Sequence, residues 1–130
     1  MMRFLEPYSE CIRDTLRIVA GYTFMLHGLM KFGLLGGDQV AIASLLGLAA
    51  IIEVVGGALI IVGLFTKPVA FIASGQMAVA YFIGHVAVQG SPLLPLVNRG
   101  ESAVLFCFVF LYLASAGPGA WSIDAKLAKS

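Results

Sequence analysis

Charge is the scarcest commodity in this 130-residue chain. Eight Lys and Arg and seven Asp and Glu make up 12% of it, against 60% hydrophobic residues. Ordinary soluble domains carry about 25% charged and about 45–50% apolar residues. So few charges could not cover a soluble surface, and composition alone predicts a membrane protein in a single domain spanning 1–130. The formal net charge of +1 leaves no electrostatic footprint for nucleic acid. Cysteine is nearly absent. Cys11 and Cys107 form no C-x-x-C, which excludes a local thiol–disulfide motif, and their expected depths differ too much for a disulfide. Histidine is equally sparse. His27 and His85 fall on different segments about a helical turn apart in depth, which argues against bis-histidine haem, and no helix carries a ligand pair at metal spacing. No Ser–His–Asp set or phosphate loop occurs, since Gly117 and Gly119 follow a helical segment instead of opening one. The start "MMRFLEPYSECIRD" contains acids and no apolar core, so a signal peptide is not expected. Low-complexity segments and long repeats are lacking too.

What is there comes in blocks. Apolar runs cover about 15–35, 44–64, 68–88 and 101–117, each near the ~20 residues that cross a ~30 Å hydrocarbon layer. Only a helix satisfies every backbone group within one span, and the blocks lack the alternation of barrel strands. The expectation is therefore all-α, a four-transmembrane-helix bundle. "LLGGDQ" breaks the first block, Gly63 ends the second, and Pro68 suits the first position of the third helix. The longest loop, 88–101, ends in Asn98 and Glu101 at capping-box spacing, and Trp121 is placed as an interfacial anchor. Arg3, Arg13, Arg17, Lys67, Lys126 and Lys129 fall on one side, Lys31 and Arg99 on the other. The positive-inside rule then puts both termini in the cytoplasm.

Ionisable residues inside such spans normally face the bundle interior and find partners. His27 and Lys31 are four residues apart, on one helix face. Rise per residue puts Lys31, His85 and Glu101 roughly 10 Å outward of the midplane, and His27 and Glu53 within roughly 4 Å of it. This depth argument predicts a Lys31–Glu101 pair and a deeper His27–Glu53 pair. Arg17 lies apart, near the cytoplasmic end. Each has a plainer alternative: Lys31 snorkels, Glu101 caps its helix, His85 is interfacial, Arg17 pairs with Asp14. Glu53 has none, because it sits mid-helix with no charged neighbour on its own segment. Gly56 and Gly57 share its face and admit a close helix neighbour. Gln76 lies nine residues before His85, about half a turn round on a straight helix, so His85 is favoured for the pocket.

In order along the chain these residues resemble the DoxX family of small four-helix membrane proteins. The matching stretches are Arg17-x3-Gly21-x5-His27-Gly28-x2-Lys31, Glu53-x2-Gly56-Gly57-x5-Gly63, Pro95, Asn98-x-Gly100-Glu101 and Gly117-x-Gly119-x2-Ser122-x-Asp124. The resemblance implies a multi-pass protein of a prokaryotic inner membrane. It also implies a subunit of a quinone-linked oxidoreductase, with quinone as its ligand and an oxidoreductase subunit or a second copy as partner besides lipid. Arg17, His27, Lys31, Glu53, His85 and Glu101 would then bind the quinone head or relay its protons. Relatives that use a cysteine pair for redox are no guide here, since the pair is missing. The alternative class is a non-enzymatic membrane binding, assembly or solute-handling module.

Overall fold

In the computed structural model, which describes residues 3–88, 90 and 93–130, every regular element is helical and no strand occurs among the described residues. Gln89, Ser91 and Pro92 of the expected long loop, and Met1 and Met2 of the expected leaderless start, lie outside the described residues. A 3-10 turn at Arg3–Tyr8 leads into α1 (Ser9–Lys31). There follow α2 (Leu45–Val62), α3 (Thr66–Ala87), α4 (Glu101–Ala116) and the short α5 (Ile123–Leu127).

α1 starts earlier than its apolar block because its polar first turns pair within themselves. Arg13 bonds Glu10, and Arg17 bonds Asp14 at 3.2 Å. It ends earlier as well, at Lys31, where Gly33 and Gly36 take positive φ. Ser44 caps α2 by accepting from the Gly47 amide at 3.1 Å. Gly63 closes it in the left-handed region (φ 70°), its amide on the Ile60 carbonyl and that of Leu64 on the Leu59 carbonyl, the paired bonds of a Schellman end. Pro68 stands third in α3 instead of first, still within the turn whose amides have no partner inside the helix. The Asn98–Glu101 capping box does not form. Asn98 Oδ1 instead accepts from the Gly100 amide at 2.9 Å, and no side chain caps α4.

α1 packs along α2 and α3 along α4, two antiparallel hairpins. The α1–α2 seam is made of small residues. A Cβ on Gly21 would come within 3.0 Å of the Gly57 carbonyl oxygen, one on Gly57 within 2.8 Å of the Gly21 oxygen, and one on Gly28 within 2.9 Å of the Ala50 oxygen. Phe24, Phe106 and Phe110 join α1 to α4, with Phe24 edge-on to Phe110 at 4.8 Å and Phe106 stacked on Phe110 at 5.6 Å. The outer surface stays apolar, with Val19, Leu48, Phe71, Ile72 and Phe108 exposed. α2 and α3, with mean hydropathy 2.6 and 1.5, are long and apolar enough to cross a membrane; α4 is apolar but shorter.

Candidate functional site

Glu53 is 1% exposed, yet its carboxylate is fully engaged. Lys31 Nζ donates to Oε2 at 2.6 Å and Gln76 Nε2 to Oε1 at 2.8 Å, tying α1, α2 and α3 together at one point. The lysine reaches it because a helical side chain leans toward its own N-terminus, here inward along α1. That direction overrides the Cα depths that matched Lys31 with Glu101. Glu101 is instead exposed in the first turn of α4, with no ion pair among the described residues. The expected His27–Glu53 bond is not formed either. The His27 ring packs edge-on against Phe106 at 5.8 Å.

Both walls beside this node are π-helical, at Ile52–Gly56 in α2 and Ala80–Ala87 in α3. Bonds of the i→i+5 type turn the chain less per residue, and such stretches concentrate at functional sites. The second one also accounts for Gln76. A straight helix would separate it from His85, but the widened turn between them brings both to the lining of one groove. That groove, about 470 Å³, runs between α2 and α3 with apolar walls from Leu48, Ile52, Ile72, Val79 and Ile83 and polar groups from Lys31, Gln76 and His85. Gly75 and Gly84 also line it, and a Cβ on either would meet nothing within 4 Å. A helical glycine costs about 0.5–1 kcal/mol relative to alanine. Here neither is required by helix packing, and both border open space along the groove. Gln76, set aside in the sequence in favour of His85, lines the same groove and bonds Glu53; its signal was a lone amide in an apolar span.

His85 Nδ1 lies 3.1 Å from the Asn98 carbonyl oxygen. Asn98 is fully buried and donates from Nδ2 to the Tyr81 hydroxyl at 3.2 Å.

Arg17 belongs to a second cluster at the other end of the bundle. It is fully buried, with Nε on the Pro118 carbonyl at 2.7 Å, Nη1 on the carbonyls of Ile60 (2.7 Å) and Ile61, and Nη2 on the Trp121 carbonyl (2.7 Å) and Asp14. Asp14 in turn accepts from the Trp121 amide at 3.1 Å. Asp124 caps α3 from afar, accepting from the Phe65 amide at 2.9 Å and the Thr66 amide at 2.8 Å. A concavity of about 610 Å³ lies beside this latch, but Arg13 and Asp124 in its lining are already engaged. Of the six residues singled out in the sequence, Lys31, Glu53 and His85 therefore meet at or behind the groove, while His27, Glu101 and Arg17 do not. No group of three or more metal-ligating side chains occurs among the described residues.

Comparison with known proteins agrees with this helical membrane architecture. The family model described as DoxX matches residues 13–86. A Haemophilus influenzae protein described as "Uncharacterized protein" is 43% identical over 133 residues, covering 98% of this chain and 99% of its own length. No solved structure matches the chain.

Proposed function

The chain belongs to the DoxX family and is a membrane protein, and from that premise we propose that it is a multi-pass subunit of a quinone-linked oxidoreductase in a prokaryotic inner membrane. In this reading α1 to α4 are the four spans and both termini are cytoplasmic, supported by the six-to-two distribution of Lys and Arg.

The observation that carries the reading is the groove whose apolar walls end at Lys31, Gln76 and His85, with Glu53 fixed behind them. A quinone-type ligand joins a polar ring to an apolar tail, and the groove offers both surfaces side by side. When bound, such a ring supplies reversible two-electron, two-proton chemistry. The chain's own residues do the rest. Lys31 keeps two ammonium hydrogens beyond the one given to Glu53, enough to donate to a ring oxygen. Glu53 holds that lysine in place through its carboxylate, and Gln76 fixes the carboxylate from the opposite side. His85 offers a second polar contact across the groove. The apolar walls exclude water from the ring. In this reading a partner subunit supplies or accepts the electrons.

A photoreactive short-chain benzoquinone added to native membranes tests the proposal. Covalent attachment is expected within 45–52 and 72–85. Gly84→Phe, placed where an added Cβ would meet nothing within 4 Å, should leave the protein folded and abolish that labelling. Labelling that persists unchanged in folded Gly84→Phe protein would sink the reading.

A further inference from the structure

The contact between His85 Nδ1 and the Asn98 carbonyl oxygen, at 3.1 Å, decides which ring nitrogen carries the proton. A carbonyl oxygen only accepts, so the hydrogen must sit on Nδ1. In the neutral ring Nε2 is then a bare lone pair, on a side chain that lines the groove. Among the described residues no hydrogen bond reaches Nε2. The carbonyl that sets this tautomer is itself held firmly. Asn98 is fully buried, its side chain accepts from the Gly100 amide and donates to the Tyr81 hydroxyl, and a Cβ on Gly100 would come within 2.6 Å of the Tyr81 ring.

Of the groove's three polar side chains, Gln76 commits its Nε2 to Glu53 and keeps its unpartnered Oε1 buried, which leaves Lys31 as the donor and His85 Nε2 as the acceptor facing a ligand. Lys31 does not distinguish the two oxidation states of a quinone-type ring, because both offer oxygen lone pairs to an ammonium. His85 Nε2 does. It meets the hydroxyl hydrogen of the reduced ring but the lone pairs of the oxidised one. We propose that the groove selects the reduced, hydroxyl-bearing form, a hydroquinone, and that His85 is the specificity-determining residue that reads the hydroxyl. The inference rests on the quinone-type reading of the groove and concerns binding alone. Two acceptors left facing each other in a largely water-free site cost roughly ten- to a hundredfold in affinity.

Equilibrium dialysis of the full chain in lipid nanodiscs, against empty nanodiscs, tests it anaerobically at about pH 8, above the ordinary imidazole range. The probes are decylubiquinol, decylubiquinone and the dimethyl ether of the quinol, which is aromatic but has no hydroxyl donor. The quinol should bind roughly tenfold or more tightly than the quinone, and the ether as weakly as the quinone. His85→Phe should level the three. Equal or tighter binding of the quinone or the ether by the unaltered protein would overturn the inference while leaving the groove reading in place. Absence of saturable binding for all three would overturn both. The comparison within the unaltered protein stands whether or not His85→Phe folds.

Discussion

Arg17 and Glu53 are both buried charges, but they are solved differently. Arg17 uses the planar fork of its guanidinium to bond the Ile60 and Ile61 carbonyls at the end of α2, the first of which also accepts from the Gly63 amide, along with two carbonyls from the C-terminal segment. It ties that end of the bundle together. Glu53 has only side-chain donors, and one of them, Lys31, keeps 27% of its side chain exposed. That partial exposure leaves Lys31 able to serve a second partner, which Arg17 cannot do. A double-mutant cycle in detergent unfolding should give Lys31→Met and Glu53→Gln a coupling of about 1 kcal/mol or more. Lys31→Met and Glu101→Gln should be additive, since those side chains do not meet. Coupling to Glu101 instead of Glu53 would refute the pairing described here.

At the scale of elements, the α1–α2 seam repeats every seven residues: Gly21 and Gly28 on α1 oppose Gly57 and Ala50 on α2. Backbone meets backbone there, so added methyl groups cannot be absorbed by a side-chain shift. Gly57→Ala should cost on the order of 1–3 kcal/mol in a detergent melt. Gly56→Ala should be close to neutral, because its Cβ would meet only the Val69 and Phe24 side chains at 3.5 and 3.8 Å. Equal costs would mean that the seam does not pack as described.

The start of α3 depends on a residue from the far end of the chain. Partial burial on its own would raise the Asp124 carboxyl, but the Thr66 and Phe65 amides and the Arg17 charge outweigh it and hold it below the usual carboxylate range. Its folded pKa being lower than its unfolded one of about 3.9, the stabilisation is complete above that value and is lost as pH falls through the folded pKa. The stability difference between the unaltered protein and Asp124→Asn should therefore be flat above about pH 5 and shrink below about pH 4. A difference that grows on acidification would reverse the sign and exclude the cap.

For the whole molecule, two helix hairpins pack so that one end carries the groove and the other the Arg17 latch. This separation matches the proposed topology, with the groove in the outer half of the membrane. After removal of Cys11 and Cys107, a cysteine at Asp38 should react with a membrane-impermeant reagent added from outside, and one at Lys67 should not. The inverse pattern would overturn both the orientation and the placement of the groove.

Membrane character, helical class and the approximate extent of the helical blocks were legible in the sequence, because scarce charge and backbone satisfaction within a span are properties of the chain itself. So were Glu53 as a charge that needs a partner and Gly57 as a point of close approach. Pairing was not legible, because depth along a helix locates Cα atoms, whereas Lys31 reaches inward by the length of its side chain. Nor could Gln76 and His85 be brought to one groove by counting residues. The π turn between them changes the rotation per residue, and only packing against neighbouring helices selects such a turn over the α form. The tautomer of His85 depends on Asn98, thirteen residues away, and on how the loop folds back over α3. Tertiary structure alone decides that, because a hydrogen bond to a distant carbonyl leaves no pattern in the sequence.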